Sequence, residues 1–279
     1  MAALEAVLAG ARTLPGTLNL CLNALGLGGI QALAAALPSA SQLQALHLQQ
    51  AQLESAGAAL MAPCLASLAP TLQTLWLQDT QLRSAGAVAL APALQALTGL
   101  NCLALGRGID GKGVQAIAPA LAGMCGLQQL MLLGNKMGAS GAAALAQALP
   151  AFAGSLERLD SSWCGMCSEG AAALAPALAQ CTGLVELSLA VEKFAPHAVH
   201  ALCAAFESMR LLKEAEMFCE QWGEGGYLSL IRVLGSRDAL PKICLTSPNA
   251  QCGLGWASTP LHNVQDAVLY EVIGLENRH

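Results

Sequence analysis

A glycine that returns at a nearly constant interval is the feature that most limits what this chain can fold into. Gly29, Gly57, Gly86, Gly113, Gly141, Gly170 and Gly226 are separated by 28, 29, 27, 28, 29 and 56 residues. The last interval is two periods, with Ala198 at its midpoint. A fixed period of about 20–50 residues signals a stack of similar units, none of which can bury its own apolar face. The period predicts eight units over residues 15–236. Residues 1–14 then form an N-terminal helix or partial unit. Residues 237–279 hold a last strand, at Leu240-x-x-Ile243-x-Leu245, and a C-terminal cap that includes an amphipathic stretch from Asn263 to Ile273.

The units share an internal order. Leu43-x-x-Leu46-x-Leu48, Leu72-x-x-Leu75-x-Leu77, Leu127-x-x-Leu130-x-Leu132 and Leu184-x-x-Leu187-x-Leu189 each open a unit. Leucines two apart point to the same side of a strand, so each segment reads as a short strand with one buried face. Three residues on is a position held by Asn23, Ala51, Thr80, Gly108, Asn135 or Cys164. Two further on comes an apolar residue, except at Asp110. The glycine follows, and after it a run such as GAVALAPAL or GAAALAQAL, whose apolar residues recur at helical spacing.

These residues resemble the leucine-rich repeat, in its ribonuclease-inhibitor-like subtype, over about four fifths of the chain. The resemblance implies an α/β fold, a curved solenoid with a parallel sheet on the concave side and helices on the convex side. Stability would come from neighbours stacking on one another. Several positions depart from the pattern. Only Asn23 and Asn135 keep the asparagine that serves neighbouring turns in such repeats, and units seven and eight carry Glu192 and Glu220 there. Those late turns are expected to be less regular. Pro63, Pro92, Pro119 and Pro176 each sit six residues after a unit glycine. A proline inside a helix removes one hydrogen bond, so these positions predict either an outward kink or a short helix that starts late.

Composition excludes several functional classes. Charged residues make up 11% of the chain, against about 25% in ordinary soluble domains. Alanine and leucine account for 55 and 53 residues. The net charge of −5, with no basic run, argues against nucleic acid as a partner. Charge-free stretches such as 113–135 are interrupted by Gln115, Pro119, Gly123 and Gln128. They therefore fall short of the roughly 20 apolar residues that a membrane span needs. The N-terminus lacks a basic segment before its apolar residues, and no Asn-x-Ser/Thr acceptor occurs. Eleven cysteines, an odd number without a secreted-framework spacing, read as small buried apolar residues. Together these features predict an intracellular, cytoplasmic protein.

Segments that look like chemistry are better explained by the repeat. Gly106-Arg107-Gly108-Ile109-Asp110-Gly111 matches a dinucleotide fingerprint, but no acidic residue stands at the ribose-binding position on the following strand. Trp163-Cys164-Gly165-Met166-Cys167 looks like a redox pair, yet its first cysteine and its methionine occupy the two buried positions of the unit. His197 and His200 could share a helix face, without further ligands for a metal. No hydrolase, metalloprotease or phosphate-loop motif occurs. The expectation is a chain without catalytic, cofactor or metal sites, and without a small-molecule substrate.

Strand alternation assigns the outward positions that would line the concave face. They are Asn19 and Cys21, His47 and Gln49, Trp76 and Gln78, Ala104 and Gly106, Met131 and Leu133, Asp160 and Ser162, Ser188 and Ala190, and Glu216 and Phe218. Of these, His47, Gln49, Trp76, Gln78, Met131, Leu133, Asp160, Glu216 and Phe218, with the neighbouring Trp163, are the candidate partner-binding residues. Trp76, Met131, Leu133, Trp163 and Phe218 should be exposed there, and aromatic and methionine side chains are enriched at binding hot spots. Glu157, Asp160, Glu186, Glu214 and Glu216 add acidity in the second half, partly offset by Arg158 and Lys213. The expected partner is a protein or peptide with apolar anchors and some basic character, and the expected function is that of a non-enzymatic interaction scaffold. The resemblance leaves two alternatives. One is a GTPase-activating protein for Ran, a family that usually has a strongly acidic C-terminal segment where this chain reads VIGLENRH. The other is a structural subunit of a large assembly, suited by charge-poor helices on the convex face.

Overall fold

Each Leu-x-x-Leu-x-Leu segment becomes a strand whose alternate leucines turn inward. The computed structural model describes residues 16–222, Ser229 and residues 242–246. Its strands are β1 (Thr17–Asn19), β2 (Ala45–His47), β3 (Thr74–Trp76), β4 (Cys102–Ala104), β5 (Gln129–Met131), β6 (Arg158–Met166), β7 (Glu186–Phe194), β8 (Glu214–Trp222) and β9 (Lys242–Thr246). They form one open sheet in sequence order, every pair parallel. Leu18, Leu46, Leu75, Leu103, Leu130, Leu159 and Leu187 stand directly beside one another along it. Backbone bonds carry the ladder past the named strand ends, as where the Leu105 and Leu132 amides donate to Met131 O and Asp160 O.

Seven α-helices return the chain between strands among the described residues. They are α1 (Gly26–Ala36), α2 (Glu54–Ser67), α3 (Arg83–Ala96), α4 (Gly111–Ala122), α5 (Gly138–Ala148), α6 (Ser168–Leu178) and α7 (Pro196–Ser208). The repeating glycine is where consecutive helices meet. A Cβ on Gly86 would lie 3.3 Å from Ala58 Cβ, one on Gly141 3.2 Å from Gly111 Cα, and one on Gly170 3.2 Å from Ala139 Cα. Each of these atoms belongs to the preceding helix. Packed helices need about 8–10 Å and paired strands only about 4.8 Å. The stack therefore curves with its sheet on the inner side.

The core lies between the two layers and runs without a break. Leu46, Leu75, Leu103 and Leu130 from the strands, with Met61, Leu90, Ile117, Leu145 and Leu174 from the helices, are fully buried. Each such side chain contributes about 1.5–3 kcal/mol through burial. The prolines do not delay the helices. Helices α2 and α3 begin three residues before their unit glycines, α4 and α6 two before, and all four run through Pro63, Pro92, Pro119 and Pro176. All four prolines are exposed. Three of the four carbonyls freed of an amide partner, at Ala59, Val88 and Gln115, lie on exposed residues, where water can serve them.

The turn after each strand is the second repeated device. Leu22, Gln50, Asp79, Arg107, Gly134 and Trp163, one per unit, all have left-handed backbone with φ between 56° and 73°. Below this turn, Asn135 is fully buried and serves three backbone groups. Its Nδ2 donates to Leu105 O at 2.6 Å and Leu132 O at 2.8 Å, and its Oδ1 accepts from the Ile109 amide at 3.0 Å. Cys164 does part of the same work, its thiol donating to Leu132 O at 3.1 Å. Unit four solves the turn differently. Ile109 is buried in place of the missing apolar residue. That frees Asp110 to cap α4, accepting from the Lys112 and Gly113 amides at 2.9 and 3.0 Å.

The late turns depart from the pattern of the earlier units by becoming extended: β7 and β8 pair in register from Glu186 beside Glu214 to Val191 beside Cys219, skip Glu192, and pair again at Lys193 beside Gln221 and Phe194 beside Trp222. The left-handed turn gives way to more strand. The register between β6 and β7 shifts between Ser161 and Met166, so Trp163 sits at the change from one pattern to the other. The expected N-terminal helix or partial unit at residues 1–14 and the amphipathic segment at 263–273 lie outside the described residues.

Two substitutions test this frame. Asn135→Ala leaves the Leu105 carbonyl and the Ile109 amide short of a partner and is expected to cost roughly 2–4 kcal/mol in urea unfolding. Gln50→Gly relieves left-handed backbone at an exposed site and is expected to gain roughly 0.5–1 kcal/mol.

Candidate protein-binding face

Three residue rows cross the inner face of the sheet, and the middle row follows the strand register. Asn19, His47, Trp76, Ala104, Met131, Asp160, Ser188 and Glu216 are Cα partners in succession. The next outward row holds Gln49, Gln78, Gly106 and Leu133. These side chains are largely half-buried, Trp76, Met131 and Leu133 included, rather than fully open to solvent. The side chain of Phe218 lies outside the described residues, although its backbone belongs to β8. Trp163 is the exposed aromatic, at 56%, because it lies in the stretch of β6 between Ser161 and Met166 where the register shifts and its own backbone is left-handed, as at the turns of the earlier units.

The first half of this face is knitted into one pad. The rings of His47 and Trp76 stack with centroids 4.1 Å apart and 12° between their planes. Such a stack adds roughly 0.5–1.5 kcal/mol beyond burial. Burial lowers the pKa of His47, so the imidazole is neutral at pH 7. Gln49 Nε2 donates to Gln78 Oε1 at 2.9 Å. Gln78 Nε2 in turn reaches Met131 Sδ at 3.9 Å, crossing the whole of unit four. It can do so because unit four presents only Cys102, Ala104 and Gly106, all buried. A Cβ on Gly106 would come within 3.1 Å of Gln78 Cγ. The small residues of unit four are thus the floor over which units three and five join.

The second half is electrostatic. Asp160, Glu186, Glu214 and Glu216 set four carboxylates against one guanidinium, Arg158, on the rows of β6, β7 and β8. Arg158 binds Glu186 through both nitrogens of its near edge, at 2.6 and 2.7 Å. Hydrogen bonding to Glu186 raises the Arg158 pKa. Asp160 accepts from the Ser162 amide at 2.9 Å, and Glu216 from the Ser188 hydroxyl at 3.4 Å. Ser162 and Ala190 are buried and offer no contact surface.

The structure brings together His47, Gln49, Trp76, Gln78 and Met131. It sets Asp160 and Glu216 further along the sheet, and it places Leu133 and Trp163 on a groove at the strand ends. Sequence reasoning did not single out the charged residues of that groove, Arg83, Arg107 and Lys136, because they come from the strand-to-helix segments of three different units. The left-handed turn position, recurring every 27–29 residues, is the signal that aligns Arg107 with Trp163.

Cys164 is fully buried, and desolvation pushes its thiol up to about 12. Cys181 is pushed up to about 11 for the same reason. Among the described residues no group of three or more histidines, cysteines or carboxylates could hold a metal ion. Nor is any helix among them long and apolar enough to cross a membrane. No protein-family model matches the chain, and no curated protein matches it.

The thiols give a direct readout of this packing. In the native protein at pH 8, a disulfide reagent is expected to modify the exposed Cys125 rapidly. Cys164 and Cys181 are expected to react only after unfolding, as peptide mapping of the modified chain would show.

Proposed function

We propose that the chain is a leucine-rich repeat module of the ribonuclease-inhibitor-like subtype, and that it works without catalysis by holding a protein partner on its concave sheet face. The observation that carries the reading is the joined pad of His47, Trp76, Gln78 and Met131 beside a carboxylate-rich strip. An apolar or aromatic side chain of the partner packs on the pad. Basic side chains of the same partner face Asp160 and Glu216. Aromatic pads anchor binding energy, whereas rim charges govern encounter rate and partner choice.

The pad is preorganised, which favours a binding role. Its side chains already restrain one another through a stack and two hydrogen-bonding contacts, so little rotamer freedom remains to be lost on association. Intracellular, cytoplasmic placement belongs to the same proposal, supported by the free cysteines throughout the described residues.

The test begins with a partner isolated from the native source by co-elution, followed by titration calorimetry. Trp76→Ala is expected to weaken binding at least about tenfold, equivalent to about 1.4 kcal/mol. Asp160→Lys is expected to slow association, most strongly at low salt. Val88→Asp, on the exposed side of α3, is expected to leave affinity unchanged. Unchanged binding by both concave variants, with loss in the Val88 variant, would overturn the proposal.

A further inference from the structure

The carboxyl ends of β3 to β6 open on a groove of about 520 Å³ that the concave pad does not include. Its walls carry Arg83, Arg107 and Lys136 together with Leu133 and Trp163. Three of the 13 basic residues in a chain of net charge −5 therefore meet at one place. Two acids stand next to them: Asp79, whose carboxylate lies 3.0 Å from Arg107 Nε, and Asp110, bridged to Lys136 through the backbone and with its carboxylate held by the α4 amides of Lys112 and Gly113. Arg83 and Lys136 have no ion-pair partner among the described residues.

One further observation gives part of the rim the same sign. Helices α3 and α5 begin there with neither a side-chain cap nor an acidic residue in the first turn. Helix α4 between them is capped by Asp110, and α2 and α6 carry Glu54 and Glu169 in their first turns. Uncompensated helix N-termini present amide donors and a positive dipole end. The floor is also open backbone. Gly108 has φ +110°, and a Cβ there would sit 3.9 Å from the Arg83 amide nitrogen.

We infer that this groove binds a short acidic peptide segment of a partner protein, its anionic side chains held by Arg83, Arg107 and Lys136 and a neighbouring apolar side chain laid against Trp163 and Leu133. Arginine suits this task because its planar fork pairs with two oxygens at once. The apolar wall is substantial, since Trp163 is 56% exposed. A small molecule is disfavoured: such ligands bury most of their surface in enclosed sites, whereas the Arg107 side chain here is 68% exposed. A nucleic-acid strand needs a basic track along its backbone, and this groove is followed along the sheet by the carboxylates of β6 to β8. Gly106–Gly111, the segment that looks like a dinucleotide fingerprint, contributes Arg107 and Gly108 to this peptide groove. The inference is independent of the concave-face proposal, because none of the three basic residues lies on a strand row.

The experiment is fluorescence anisotropy with the full chain and a labelled peptide of sequence Glu-Glu-Leu-Glu-Glu. A second arm uses the same peptide with phosphoserine for its central glutamates, and a third uses inorganic phosphate alone as competitor. Binding by either peptide is expected, weakened at least about tenfold in Arg83→Gln/Lys136→Gln and again in Trp163→Ala, and reduced as salt rises. Arg210→Gln, an exposed cation beyond α7 at the opposite end of the strands, is expected to bind like the parent. Far-UV circular dichroism confirms that each variant is folded. Absence of binding by both peptides, equal binding by the Arg83/Lys136 variant, or displacement by phosphate at the peptide's own concentration would each overturn the inference.

Discussion

Consecutive helices of this stack touch at a glycine, replaced only by Ala198 on α7 among the described helices, and that contact sets the dimensions of the unit. At Gly86, Gly113, Gly141 and Gly170 an added Cβ would crowd the helix before it, with approaches of 3.2–3.3 Å to Ala58, Ser84, Gly111 and Ala139. Close helices let the leucines beneath them reach the strands without voids, and native interiors tolerate few voids. The interval between glycines cannot drift, because one strand, one turn and one helix must fit between successive contacts. The sheet register follows from the same spacing. Once Leu75 stands beside Leu103, Trp76 must stand beside Ala104, and the surface rows are determined.

Surface chemistry is then a consequence of which residues the units place in each row. Unit four is small at every outward strand position, which lets Gln78 cross it to Met131. Units six to eight put carboxylates where earlier units put aromatic rings and amides. The turn row, held in left-handed backbone, points a different set of side chains along the strand ends, from Gln50 to Arg107 to Trp163. One stack thus carries an apolar pad, an acidic strip and a basic groove side by side. The scarcity of charge elsewhere fits the helices: alanine-rich faces such as that of α6 pack closely at Gly170, and the exposed prolines stand on the outer side.

The period, the strands and the outward rows were legible in the sequence because each depends on local alternation alone. Leu46, Leu75 and Leu130 repeat at the unit length and share the core. Of the two alternatives the prolines offered, the late helix start fails because the cost of a missing amide depends on where the freed carbonyl points, and here the carbonyls of Ala59, Val88 and Gln115 belong to exposed residues. The long strands β7 and β8 were hidden because Glu192 and Glu220 mark the loss of the asparagine without saying that extended pairing replaces it. The pad was legible as a row but not as a connected surface, since Gln78 and Met131 belong to units that are not neighbours in sequence. The basic groove was missed because residues from three strand-to-helix segments, each unremarkable alone, converge only after stacking.

Whole units, indexed by the glycine contact, are the stable elements of this fold. Removing residues 102–128 takes out one strand-to-strand period and joins Asn101 to Gln129, which holds the position of Cys102 in the sheet register. The shortened chain is expected to unfold in urea in a single cooperative transition, with a slope reduced in proportion to its length. Removing only residues 102–114 breaks the register and is expected to abolish that transition. Cooperative unfolding of the half-unit deletion, or its loss in the whole-unit deletion, would contradict the account.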